Sequence, residues 1–219
     1  MHQCRFWWVS STSRLTGPGA WVHVIALTNS VTVLGCILLL LSQLQVLLFL
    51  RTTPLLRNPH RPSLYYVNLT GISVGKVLVP VAPELLAFDP NTGAGTIIDS
   101  GTVITRFVQP VYTAIRDEFR KQINAPISSL GAFDTCFKTT YEAEKPAVTL
   151  HFTGMDLTLP TENTLIHSSA GSLTCLAMAA APNNVNTVLN VIANLQQQNL
   201  RVLFDVPNSR LGIARELCN

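Results

Sequence analysis

Residues 95–106 read Gly-Thr-Ile-Ile-Asp-Ser-Gly-Thr-Val-Ile-Thr-Arg. Asp99 closes an apolar run, Thr96-Ile97-Ile98, and Ser100 and Thr102 flank Gly101 just beyond it. A carboxyl in this position is expected to be desolvated, and burial disfavours the charged form of such a group. The hydroxyls of Ser100 and Thr102 can donate hydrogen bonds that hold a carboxylate in one orientation. Gly101 lets the backbone turn sharply beside it. If a second carboxyl shared one proton with Asp99, the pair could activate a water for attack on a carbonyl. The plainer reading is a turn or cap, which is what most Asp-Ser-Gly tripeptides are.

The elements that must position Asp99 are mostly strands. "TIIDSG" reads as a buried strand running into a tight turn. "LYYVNLTGISVGKVLVPV" (64–81) alternates and is rich in Val, Ile and Tyr, which predicts the two strands of a hairpin. "AFDPNTGAG" is a turn cluster. Residues 109–123, "QPVYTAIRDEFRKQI", read as a helix: Pro110 suits its first turn, and Val111, Ile115, Phe119 and Ile123 recur every four residues. "AVTLHF", "MDLTLP", "LTCLAMAA", "TVLNVIAN", "LRVLFDV" and "RLGIAREL" read as further strands. "LQQQNL" (195–200) is expected to be a polar turn or short helix that connects strands and binds nothing. The whole predicts a mostly β domain over 51–219 with one or two short helices.

Of the 219 residues, 47% are hydrophobic and 12% charged, the latter well below the usual quarter. The net charge of +3 is uneven: residues 1–83 hold six basic side chains and no acidic one, and 84–219 hold nine and twelve. No basic stripe with interleaved aromatics and no nucleic-acid motif is present, so nucleic acid is not expected as a partner. Residues 1–50 read as an apolar helical leader. Within it, "VTVLGCILLLLSQLQVLLFL" (31–50) has 20 residues, about the length that spans a hydrocarbon core. That segment is either a signal anchor or uncleaved export signal that would engage a membrane, or a leader foreign to the domain behind it.

The motif and its surroundings resemble a known family. "TIIDSGTVITR" is similar to the second active-site motif of pepsin-like aspartic endopeptidases, in their plant nepenthesin-like branch. "YYVNLTGISVGK" resembles the strand pair that opens the C-terminal lobe there. "FDTCF" and "CLAMAA" resemble its paired-cysteine segments, and "VIANLQQQNLRVLFDVPNSRLGIARELC" its terminal strands. The resemblance runs from about Arg51 to Asn219. It implies an all-β C-terminal lobe and a mechanism in which two aspartates activate one water, with no cofactor and no metal. It also implies roles. Asp99 matches the C-lobe catalytic aspartate, Ser100 the hydroxyl that locks the active-site loops of the two lobes, and Thr102 the hydroxyl on the outer carboxylate oxygen. Where many members carry glycine, this sequence has Ala193, which would be strained if that φ were positive.

The partner of Asp99 is not in evidence. Residues 1–98 hold only two acids, Glu84 and Asp89, neither in the Asp-Thr-Gly motif of the family's other lobe, and no flap tyrosine is evident. One carboxylate cannot be both base and protonated partner. The chain is therefore expected to be inactive as a monomer and to act on a peptide or protein substrate only when a second lobe is supplied, by another chain or by self-association. The alternative is a non-catalytic protein-binding module, like the plant xylanase inhibitors of this fold. The resemblance further implies a Cys136–Cys175 disulfide and, at Cys218, a cysteine that in the family bonds the other lobe. Asn68-Leu69-Thr70 is a glycosylation sequon that matters in the secretory lumen, and the secretory pathway, extracellular or membrane-anchored, is the expected location. Cys4 and Cys36 read as leader thiols, and His151 as a strand residue.

Overall fold

In the computed structural model the described residues are 23–26, 50–140, 144–182 and 187–216. The strands, in chain order, are β1 (His23–Ala26), β2 (Arg51–Leu56), β3 (Tyr66–Val67), β4 (Leu69–Val74), β5 (Val77–Leu78), β6 (Gly95–Ile98), β7 (Thr105–Phe107), β8 (Ser128–Leu130) and β9 (Phe133–Lys138). They continue with β10 (Val148–Phe152), β11 (Met155–Thr158), β12 (Leu165–His167), β13 (Leu173–Leu176), β14 (Met178–Ala180), β15 (Leu189–Ile192), β16 (Leu200–Asp205) and β17 (Arg210–Arg215). The helices are α1 (Gln109–Ile123), α2 (Thr161–Thr164) and α3 (Asn194–Gln197). One large sheet runs β1-β16-β17-β2-β3-β6-β15-β7-β14, and two four-stranded sheets run β11-β10-β4-β5 and β12-β13-β9-β8.

The mostly β prediction holds, and so does the helix over 109–123. Val111, Ile115, Phe119 and Ile123 are all buried, and Pro110 sits in the first turn, where its missing N–H is not needed. The helix stops at Asn124, whose φ of 50° and N–H to the Arg120 carbonyl form a left-handed cap. Its apolar stripe packs on β4, β7 and β14, against a core that includes Phe107, Phe137, Leu150 and Met178.

The stretch 64–81 forms three strands rather than two. Asn68 separates β3, which joins the large sheet between β2 and β6, from β4, which hairpins with β5 in the second sheet. Gly75, at φ 58°, makes the tight turn of that hairpin. The only described part of the leader before residue 50 is β1, a strand paired in parallel with β16, His23↔Arg201 to Ala26↔Phe204. Of the apolar segment 31–50, all but Leu50 lies outside the described residues. Among the described residues no helix is long and apolar enough to cross a membrane.

β6 is fully buried because both of its faces are covered. Ile98 points into the main core and Ile97 into a smaller cluster with Tyr66 and Leu189. That explains a continuous apolar run where a one-sided strand would alternate.

Candidate active site

Asp99 lies where β6 ends. The chain turns through 99–104 and returns as β7. β15, some ninety residues later, is threaded between these two arms, parallel to β6 (Leu189↔Gly95 to Ile192↔Ile98) and antiparallel to β7 at Val191↔Arg106. The bonding continues past the strand ends. Asp99 N donates to the Ile192 carbonyl at 2.9 Å, Asn194 N to that of Thr102 at 2.7 Å and Leu195 N to that of Val103 at 3.2 Å. The buried Thr105 hydroxyl accepts the Ala193 N–H at 2.8 Å. Ala193 itself is extended, φ −96° and ψ −176°, so alanine is unstrained where the resemblance led one to expect glycine.

The two carboxylate oxygens of Asp99 each receive one neutral donor. Gly101 N donates to Oδ1 at 2.8 Å and the Thr102 hydroxyl donates to Oδ2 at 2.6 Å. A Cβ on Gly101 would lie 3.1 Å from Oδ1, so this close approach requires glycine or a shift of the turn. Among the described residues no ion pair reaches Asp99. The carboxylate is half-buried rather than fully desolvated, because the turn lifts it clear of the strand that precedes it. Ser100 does not bond the carboxylate, contrary to the expectation from its position. Its hydroxyl donates instead to Gln197 Oε1 at 2.6 Å.

That contact exposes what sequence reasoning missed. α3 does connect β15 to β16, yet its amides face inward. Gln197 is 1% exposed and its Nε2 donates to the Ile192 carbonyl at 2.9 Å. Gln196 donates to the carbonyls of Asn163 (2.7 Å) and Ala177 (3.1 Å). Asn194 Nδ2 donates to the Ser100 carbonyl at 3.3 Å. The only signal in the sequence is an unbroken amide run, which reads equally well as a surface turn.

The other sequence-marked residues lie elsewhere. Cys136 and Cys175 face each other across β9 and β13 and form a disulfide. Cys4, Cys36 and Cys218 lie outside the described residues. Asn68 sits at the break between β3 and β4 rather than within a strand, half-buried, its Nδ2 donating to the Thr153 hydroxyl at 2.7 Å. His151 lies on β10 between Asp156 and Ser73, with Nδ1–Oδ1 and Nε2–Oγ distances of 2.8 Å each. A second held carboxylate, Asp134, accepts from the hydroxyls of Tyr112 and Thr135 and pairs with Arg116 and Arg120 at 3.4 Å each. Burial pushes the Asp134 carboxyl up, but the two hydroxyls and Arg120 outweigh it and hold it below its ordinary value. Burial and the bond to Asp134 push the Tyr112 phenol up.

A carboxylate lifted from a buried strand, locked by a threaded neighbour strand and two neutral donors, defines the class: one lobe of a pepsin-like aspartic protease. Known proteins agree. Residues 64–215 match the family model described as xylanase inhibitor C-terminal. An Arabidopsis thaliana aspartyl protease, AED3, is 73% identical over 171 residues, covering 78% of this chain and 38% of that protein. Aspartic proteinase nepenthesin-1 of Nepenthes gracilis is 40% identical over 172 residues, covering 76% of this chain and 38% of that protein. Among solved structures, edgp matches with TM-score 0.68 at 22% identity over 77% of this chain and 46% of that one. Conglutin gamma from lupine seeds matches with TM-score 0.64 at 20% identity over 80% and 43%; these two likenesses speak to the fold alone. The chain belongs to the pepsin-like aspartic protease family, in its plant nepenthesin-like branch, and its matched region is the C-terminal lobe. It spans about two fifths of the length of the curated relatives it matches.

Proposed function

We propose that residues 51–219 supply one half of an aspartic endopeptidase site, with Asp99 as one of two carboxylates that activate a water against a peptide bond. The observation that carries this is the Asp99 carboxylate, with one neutral donor on each oxygen and no cation beside it among the described residues. Such a group is free to share a proton with a second carboxylate brought to its open side. Ser100, Gly101 and Thr102 are its supports. Val103, 60% exposed beside the same turn, gives apolar surface for the opposing half to cover. The substrate is a peptide or protein, cleaved once that half is present. The Cys136–Cys175 disulfide suits an oxidising compartment, so the reading includes the secretory pathway. Export would also bring the Asn68 sequon to the glycosylation machinery.

The test is to assay the 219-residue chain on a denatured protein at acid pH, alone and co-expressed with the preceding part of the Arabidopsis relative. Cleavage is expected only from the pair, and should be blocked by a transition-state mimic. Inhibitable cleavage by the chain alone would mean that it builds the site from its own copies. A pair that forms but never cleaves would favour the binding-module reading suggested by the description of the matched family model.

A further inference from the structure

Gln197 touches both walls of the Asp99 turn without touching the carboxylate. Its Nε2 donates to the Ile192 carbonyl and its Oε1 faces the Ser100 hydroxyl, at 2.9 and 2.6 Å. A carboxamide has one donating end and one accepting end. The Ile192 carbonyl can only accept, so it fixes which way the amide points. Oε1 can only accept as well, so the Ser100 proton must be directed at Gln197. Both lone pairs of Ser100 Oγ are then left for a donor arriving from outside. The same Ile192 carbonyl also takes the Asp99 N–H at 2.9 Å. One buried amide therefore sets the polarity of Ser100 and shares an acceptor with the backbone of Asp99.

We propose that Gln197 is a positioning residue that takes the Ser100 proton, ties Ser100 to the Ile192 carbonyl and so holds the Asp99 turn at a fixed height. The inference rests on the half-site reading above for its catalytic consequence, but its geometric content can be tested on the chain alone. Two substitutions separate the roles. Gln197→Met removes both bonds. Gln197→Glu keeps both when protonated, because its O–H can donate to Ile192 and its carbonyl can accept from Ser100; when ionised it has no donor for Ile192. A free glutamate titrates near about 4.3 and burial moves that upward, so the variant is intact at low pH and broken only once the pH has passed that raised value.

The first measurement is hydrogen exchange at the Asp99 amide in the full chain, referenced to amides of β16. Gln197→Met should lower its protection about tenfold at every pH from about 3 to about 9, and Gln197→Glu only above the pH at which its carboxyl ionises. The second is kinetics with the co-expressed half. kcat should fall about tenfold in Gln197→Met, the deficit of Gln197→Glu should grow as pH rises, and KM should hardly change. Unchanged Asp99 protection in both variants, or a Gln197→Glu that matches Gln197→Met at every pH, overturns the assignment. If exchange behaves as expected but the wild-type pair does not cleave, the positioning role stands and the protease reading falls. An active wild-type pair with both variants equal to it gives the reverse. If Gln197→Met does not fold, Gln197→Glu followed across that pH range carries both measurements.

Discussion

Asp99 and Asp134 are both carboxylates held by hydroxyls, yet they are built for opposite ends. Asp99 receives a backbone N–H and the Thr102 hydroxyl, and no ion pair reaches it among the described residues. Asp134 receives the Tyr112 and Thr135 hydroxyls and also two guanidinium groups, Arg116 and Arg120 on α1. A cation beside a carboxylate makes protonation costly, so Asp134 is a fixed charge that pins β9 to the helix. Neutral donors orient a carboxylate without fixing its charge in that way, which is what sharing a proton demands. The sharpest way to break this contrast is to neutralise each in turn. Asp99→Asn, assayed with the second half co-expressed, should reduce cleavage by about 10³–10⁴-fold with little change in melting temperature. Asp134→Asn should leave the rate within about twofold and act on stability. An Asp99→Asn pair that still cleaves at a wild-type rate would remove Asp99 from the chemistry.

The next largest effect belongs to the third sheet, far from both carboxylates in role. Cys136 and Cys175 are 39 residues apart in sequence and fully buried. Cross-linking a loop of that size restricts the unfolded chain, worth about 2–4 kcal/mol on the entropy account. Guanidinium unfolding with and without reductant should show a loss of that order. A shift near zero would mean that sheet packing alone holds β9 to β13.

Asp134 comes third. Its side chain is 41% exposed, so the arginine pairs contribute little through charge alone. More depends on the Tyr112 hydroxyl, on a residue only 2% exposed, which would lose its acceptor in Asp134→Ala at a cost of about 1–3 kcal/mol. The sign with pH follows from the direction of the shift. The folded carboxyl lies below its ordinary value of 3.8, so its contribution is full above that value and fades as pH falls through the lower folded one. The wild-type advantage over Asp134→Ala in urea unfolding should therefore shrink below about pH 4. An advantage that grows on acidification would contradict the direction of the shift.

How much of this was legible follows from how local each cause is. α1 could be read to its ends because Pro110, the four-residue apolar spacing and a residue that accepts a left-handed cap all lie within one segment. β6 and the Asp99 turn were legible because a strand covered on both faces leaves a continuous apolar run. The split at Asn68 was not, since alternation predicts a strand but not which sheet it joins; β3 and β4 belong to one continuous stretch and part company through partners elsewhere in the chain. The inward amides were hidden for the same reason. Ser100 and Gln197 meet across 97 positions and Gln196 meets Asn163 across 33, and nothing in "LQQQNL" itself distinguishes a buried amide from a solvated one. Ser100 shows the cost: its type suggested a bond to the adjacent carboxylate, and only the distant Gln197 explains why the hydroxyl turns away.

The smallest effect tests the contrast on a third carboxylate. Asp156, His151 and Ser73 form a chain with 2.8 Å links, the spacing of an activated serine. With Nδ1–H donated to Asp156, Nε2 is left to accept the Ser73 proton. The setting, however, is that of a staple. Ser73 is flanked by paired strands on both sides, opposite Thr149 on β10 and Leu78 on β5, so the backbone around it is engaged in the sheet and not free to hold an oxyanion. Asp156 is 62% exposed, where a charge pair adds little. Ser73→Ala should therefore cost less than about 1 kcal/mol in urea unfolding, and a serine-directed fluorophosphonate should leave Ser73 unmodified in intact-mass and peptide mass spectra. Labelling that disappears in His151→Ala would show that hydrogen-bond spacing alone suffices to activate this serine, and would undo the distinction between a carboxylate that holds strands together and one placed to do chemistry.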